Sequence, residues 1–144
     1  MKGTALVLNV ALAGAIAIGA TGIQGLHAAE EQEEYKSKAE VTMLLQAPLE
    51  ETEGKEVIIK HFAISPGFVG GRHFHPGSVF IYVLEGSLTL EMEGDAPRTI
   101  NAGELYQEPL QRVMQAKNLS TTDWAKIVVF QVGDAGNPMM IKAD

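Results

Sequence analysis

Three histidines follow residue 28, namely His61, His73 and His75, and the last two are spaced i, i+2. On a β-strand that spacing puts both imidazoles on one face, about 6.5–7 Å apart along the backbone, where they can converge on one ion. The chain contains no cysteine, which excludes disulfides, thiolate zinc sites, iron–sulfur clusters and blue-copper centres built on a thiolate. Any metal must therefore be held by histidine, carboxylate or methionine. By itself a His-x-His pair also fits two surface imidazoles. Nucleophilic catalysis has no candidate: there is no Gly-x-Ser-x-Gly elbow, and no Ser-His-Asp or Cys-His arrangement can be assembled. Gly70-Gly71 leads into a strand rather than a helix N-terminus, so it is no phosphate cradle.

Strands must hold these rings, and the surrounding pattern supplies them. From Glu56, residues Ile58, Phe62 and Ile64 alternate with Val57, Ile59, His61 and Ala63 until Pro66-Gly67 ends the run. That is the period-two mark of a strand followed by a turn. Val79 to Leu84 is almost wholly apolar and stops at Glu85-Gly86, after which Leu88, Leu90 and Met92 alternate with Ser87, Thr89, Glu91 and Glu93. This predicts a hairpin whose second strand is half exposed. Turn residues recur at Gly94-Asp95-Ala96-Pro97 and Asn101-Ala102-Gly103, and a Val- and Ile-rich run from Trp124 to Val132 ends at Gly133. Short strands at close spacing, with no helical period over any long window after residue 45, predict an all-β antiparallel sandwich or small barrel.

At 144 residues one domain suffices. Hydrophobic residues at 46%, charged at 20% and aromatic at 6% match a folded domain and exclude disordered or collagen-like classes. Eleven basic against eighteen acidic side chains give net −7, the wrong sign for neutralising phosphates, so nucleic acid is excluded as a partner. The start of the chain differs from the rest: Lys2, no acidic residue through Ala29, and an Ala-, Leu-, Val- and Ile-rich run from Ala5 to Ala20. With Leu26-His27-Ala28 ahead of Ala29-Glu30-Glu31, this predicts a secretory signal peptide over 1–28 and a periplasmic or secreted product. An uncleaved anchor is the alternative, since the weakly polar stretch extends to Ile23. Its richness in Ala and Gly, together with Asn9, makes transfer into lipid only modestly favourable, so no stable membrane insertion is expected after cleavage. Cleavage removes Lys2 alone among charged residues and leaves net −8. Glu30, Glu31, Glu33 and Glu34 then form a like-charged run without an apolar face, which predicts an acidic lead-in over 29–44 and the folded domain over 45–144.

The run Pro66-Gly67-Phe68-Val69-Gly70-Gly71-Arg72-His73-Phe74-His75-Pro76-Gly77-Ser78-Val79, continued through Phe80 to Glu85 and Gly86, resembles the first motif of the cupin superfamily. That motif is Gly, five residues, His-x-His, three or four residues, Glu, six residues, Gly; every spacing fits, with Val79 at the Glu place. The second motif is Gly, five residues, Pro-x-Gly, two residues, His, three residues, Asn. Gly103, Pro109 and Asn118 fall in its register, with Gln111 at the Gly place and Met114 at the His place. The likeness covers about residues 45–133 and is nearest to small exported cupins in which His75-Pro76-Gly77 runs on to Tyr82-Val83-Leu84-Glu85-Gly86.

The resemblance implies a cupin-type antiparallel β-barrel, a double-stranded β-helix or jelly roll, with His73, His75, Val79 and Met114 facing one cavity that holds a divalent metal. Val79 binds nothing. Met114 offers a soft thioether that suits copper, above all Cu(I), and suits Fe, Mn, Ni or Zn poorly. His73, His75 and Met114 are therefore the expected ligands and copper the favoured ion, the alternative being a gap-filling Met114 in a barrel that holds no metal. Three functions stay open: an exported protein binding one transition metal; a metal-dependent enzyme of the dioxygenase, isomerase or decarboxylase kind; and a metal-free module for a small-molecule ligand or a structural role. By the family register His61 points outward. Tyr82 and Tyr106 read as packing, Glu104 and Glu108 flank the second motif with Glu104 a solvated turn charge, and Met139-Met140 reads as a docking segment or a copper contact. A homodimer is compatible with a strand apolar on both faces, such as Val79 to Leu84.

Overall fold

Glycine and proline divide the chain into short strands, and every pairing among these is antiparallel. The computed structural model describes residues 32–144; the predicted signal peptide over 1–28 lies outside the described residues. The strands are β1 (Glu40–Pro48), β2 (Lys55–Ile64), β3 (His73–Phe74), β4 (Ser78–Glu85), β5 (Ser87–Met92), β6 (Arg98–Asn101), β7 (Leu105–Gln107), β8 (Met114–Lys117), β9 (Ala125–Asp134) and β10 (Ile141–Lys142). They form two five-stranded sheets, ordered β1-β2-β9-β4-β7 and β10-β3-β8-β5-β6. Among the described residues no helix is long and apolar enough to cross a membrane.

Alternation in each strand sends one set of side chains inward. Ile58, Phe62 and Ile64 of β2, Val79, Ile81 and Val83 of β4, and Ile127 and Val129 of β9 meet Leu88 and Leu90 of β5 and Ile100 of β6 in one core. Each such burial stabilises the fold by about 1.5–3 kcal/mol before chain entropy is counted. The all-β expectation of two antiparallel sheets closed on one another is met.

The expected hairpin of β4 and β5 is not formed. These consecutive strands lie in different sheets, β4 between β9 and β7, β5 between β8 and β6. Gly86, at φ 70, turns the corner from one sheet to the other, and a Cβ there would stand 2.6 Å from the Trp124 carbonyl oxygen. Both strands have an apolar face for the same core, so alternation alone does not distinguish a hairpin from a corner.

The folded region also begins earlier than expected. The boundary at residue 45 falls inside β1, and upstream of it Glu34 bridges Ile141 while the Tyr35 N–H donates to the Met140 carbonyl at 2.9 Å. The side chains of β1 are exposed along nearly its whole length, so its strand character comes from the ladder with β2 and leaves no burial pattern in the sequence.

Two second-motif positions show their physical roles. Asn118 is buried, and its amide donates to the carbonyls of Ile64, Ser65 and Asp123 while its oxygen accepts the Ser120 N–H, tying three chain segments together. Gln111, at the Gly place, has φ 56, a left-handed conformation that costs an L-residue roughly 1–2 kcal/mol. Gln111→Gly relieves this at the expense of added freedom in the unfolded chain, for a net gain of about 0.5–1 kcal/mol. Urea unfolding of the variant is expected to show a higher midpoint at unchanged m-value; an unchanged midpoint would show that the turn is unstrained.

Candidate metal centre

A two-residue strand carries the first histidine. β3 is held on one side by β8, with His73 opposite Met114, and on the other by β10, with Phe74 opposite Ile141. His73 Nδ1 lies 2.9 Å from the Gly71 carbonyl, and His75 Nδ1 lies 2.7 Å from the Met139 carbonyl and 3.3 Å from Gln131 Oε1. A carbonyl only accepts, so each Nδ1 carries the hydrogen and each Nε2 keeps its lone pair. The two rings meet edge to face with centroids 5.1 Å apart, and Tyr35 stacks on the outer face of His73 at 4.9 Å and 8°. The Tyr35 hydroxyl accepts the Gly71 N–H at 2.7 Å. Gly71 has to be glycine, since a Cβ would stand 2.5 Å from the Tyr35 ring.

The imidazoles share a chamber of about 50 Å³ with Glu108, walled by Phe62, Ile81, Leu88, Leu90, Ile127, Val129, Met139 and Met140 among others. Glu108 follows β7, and its N–H donates to the Val79 carbonyl at 3.0 Å. A carboxylate thus enters beside the very position where the motif's glutamate is replaced by Val79. Glu108 Oε2 stands 3.1 Å from His75 Nε2, and no donor reaches that buried oxygen.

The contact is no ordinary ion pair. Burial pushes Glu108 up to about 8, while burial first and the neighbouring His73 second lower His75 to about 4. Burial also lowers His73, against the opposing hydrogen bond to Gly71. Both imidazoles are therefore neutral near pH 7, and His75 Nε2 faces Glu108 Oε2 acceptor to acceptor unless a proton or a cation stands between them.

His73 and His75 come together as their spacing implied. Met114 is buried and faces the same side of its sheet as His73, but it is not among the residues that line the chamber; it borders an outer cleft with Arg72, Glu91 and Glu93. Val79 is buried and likewise absent from the lining. Met139 and Met140 do line it. Glu104 accepts the Asn101 N–H in a turn, Tyr106 points inward with its hydroxyl 3.9 Å from Met92 Sδ, and His61 and Tyr82 lie on the outer side of their sheet. Sequence reasoning noted Glu108 only as flanking the second motif, without a ligand role, and passed over Tyr35. The signal for Glu108 was the missing glutamate at 79 combined with an acid directly before Pro109; Tyr35 gave none.

The sequence profile of the family described as Cupin domain matches residues 60–130. The chain carries a cupin-type domain. No curated protein matches the chain. Among solved structures, the DMSP lyase DddQ from Ruegeria pomeroyi DSS-3 shares 17% identity at a TM-score of 0.55, over 69% of this chain and 49% of that one. A Cupin 2 conserved barrel domain protein from Salinispora arenicola CNS-205 shares 20% at 0.52, over 72% and 82%. An oxalate oxidase in complex with the substrate analogue glycolate shares 23% at 0.52, over 73% and 55%. The chain spans about half the length of the lyase and of the oxidase, and at these identities the likeness is one of fold.

Cupins commonly hold a transition metal, and the donors here fit one. Among the described residues no three histidine and carboxylate side chains are already drawn into a complete ligand group. Two imidazoles with free Nε2 lone pairs and a carboxylate oxygen without a donor nevertheless share one small chamber, and backbone carbonyls fix both ring tautomers. In metal-free protein the sign of the Glu108 shift sets a pH dependence. Below about 4.5 the carboxyl is neutral in folded and unfolded chains alike; between there and about 8 only the unfolded chain sheds the proton, so the stability it supports drains away as pH rises. The slope approaches ~1 kcal/mol per pH unit. Thermal melts of metal-free wild type and Glu108→Gln are expected to converge near pH 4.5 and to separate toward pH 8, the wild type falling; parallel curves would mean the carboxyl is not buried as described.

Proposed function

We propose that this cupin binds one divalent transition metal through His73 Nε2, His75 Nε2 and the Glu108 carboxylate, and presents it to a small molecule in the chamber. The observation that carries the reading is the 3.1 Å approach of Glu108 Oε2 to the unprotonated nitrogen of His75, a buried pair that needs either the carboxyl's own proton or a cation between its two atoms. A cation can take the place of that proton and be held by the ionised carboxylate and the imidazole lone pairs together. Two imidazoles with one carboxylate suit Fe, Mn, Ni or Zn. The metal would supply Lewis acidity, or redox chemistry if it is iron or manganese; His73 and His75 hold their rings fixed through Gly71 and Met139, and the apolar wall excludes bulk water.

The copper reading keeps a specific support, because Met139 and Met140 line the chamber and Met114 stands opposite His73. Solved structures with this fold include enzymes and proteins whose names assign no activity, and fold alone does not choose between catalysis and binding. Export to a periplasmic or extracellular compartment, read from residues 1–28, belongs to the same proposal.

Metal analysis of the purified protein, with calorimetric titration of the stripped form, tests the ligand set. The expected result is about one equivalent of Fe, Mn, Ni or Zn, weakened roughly 100-fold or more by Glu108→Gln and left unchanged by Met114→Leu. Copper loading abolished by Met114→Leu would transfer the third position to the thioether. Metal content near zero, with stability indifferent to His73→Ala and His75→Ala, would leave a metal-free module.

A further inference from the structure

The segment ahead of β1 carries a period-two pattern of its own. Tyr35, Ser37 and Ala39 are half-buried, while Glu34, Lys36, Lys38 and Glu40 are exposed. The three inward residues line the chamber. This strap is fastened at its start: the Tyr35 N–H donates to the Met140 carbonyl at 2.9 Å, the Lys142 N–H donates to the Glu33 carbonyl at 2.8 Å, and Lys142 Nζ pairs with Glu33 at 2.9 Å. The Tyr35 hydroxyl ties it to Gly71. The strands line the chamber with large side chains such as Phe62, Leu88 and Ile127, whereas after Tyr35 the strap contributes only small ones.

We propose that the chamber seats an uncharged, largely apolar molecule of about four non-hydrogen atoms, and that Ser37 and Ala39 set its size limit. This rests on the metal reading for the ion beside that molecule, but the seat itself is a property of the walls.

The size follows from volume. A chamber of about 50 Å³ is a third of the roughly 150 Å³ that holds benzene, and about four times the roughly 10–15 Å³ that one water needs. The charge follows from the lining. Among the described residues no lysine or arginine lines the chamber, and its one carboxylate faces His75. An anion finds no countercharge in such a wall and a cation competes for Glu108, so either loses hydration without a partner. One polar contact is on offer. Ser37 Oγ accepts the Ala39 N–H at 3.1 Å and keeps its own hydrogen to donate, which matches a ligand with a single acceptor atom. The thioethers of Met139 and Met140 add soft, polarisable contact.

Methyl NMR on the full chain, labelled at the methionine ε-carbons and cleared of metal by chelation, tests this. Met139 and Met140 line the chamber, while Met43 is exposed on β1 and serves as the control. Acetone, acetate and isopropylammonium match in atom count and differ in charge. Acetone is expected to shift the Met139 and Met140 signals with millimolar saturation, near the limit for so few atoms. The two ions are expected to bind at least about 10-fold more weakly. Cyclohexanone, the same carbonyl on a larger body, is expected to leave both signals in place. Ala39→Leu adds an isopropyl group, nearly the size of acetone, and is expected to abolish the acetone shift with circular dichroism unchanged; Ser37→Leu makes the same test from the neighbouring inward position. Phe68→Ala enlarges the chamber and is expected to admit cyclohexanone. Acetate saturating as readily as acetone, cyclohexanone entering the wild type, or acetone shifting Met139 and Met140 no more than Met43 overturns the ligand class. Acetone binding unchanged in the folded strap variants overturns the role of the strap. None of these outcomes depends on metal uptake, so a failure of the metal reading, seen in the calorimetric titration, is a separate result.

Discussion

Burying two imidazoles and a carboxyl inside an apolar barrel is the constraint on which the rest of this structure turns. Each polar atom removed from water must find a partner or lose its charge. The two ring N–H groups are satisfied by the carbonyls of Gly71 and Met139. Those carbonyls come from widely separated parts of the chain, one from the loop before β3 and one from the segment before β10. Both ends of the described domain also meet at the site: Tyr35 lies on His73, its N–H donates to Met140, and Glu34 pairs with Ile141.

Among the described residues, the buried side-chain oxygen that no protein donor reaches is Glu108 Oε2, facing His75. Burial alone drives this carboxyl toward its neutral form and the histidine toward its own, which leaves a site primed by desolvation. The carboxylate is carried by the residue after β7 instead of by β4, yet the backbone bond from Glu108 to Val79 keeps it beside the place the motif assigns to an acid. The acid is thereby moved to the neighbouring strand of the sheet while it still reaches the chamber. The same sheet that carries Val79 inward presents an equally apolar surface outward, so its strands read as continuous hydrophobic runs and the inner and outer demands are met by the same residues' alternation.

Much of the scaffold could be read before any coordinates. The alternation from Glu56 to Ile64, the run ending at Gly86 and the strand from Ala125 match β2, β4 and β9, because a half-buried strand must repeat every second residue. The His73 and His75 pair was legible from spacing. The partner of Gly86 was not: whether a strand doubles back or crosses to the other sheet depends on which surface lies above it, here the Trp124 backbone. β1 left no trace, since exposed side chains carry no burial pattern and its register comes from β2.

What the sequence determined by itself was the half-buried core strands, the all-β class, the absence of thiolate chemistry and the two imidazoles on one stretch of chain, each a consequence of local periodicity or composition. What only the tertiary structure decided was the company those imidazoles keep. Glu108 and Met114 lie at similar distances along the chain, 33 and 39 residues beyond His75; sheet order places Glu108 in the chamber and leaves Met114 off its lining. Chain separation carries no information about which strands become neighbours, because pairing is settled by the joint burial of both sheets and not by any residue's own preference.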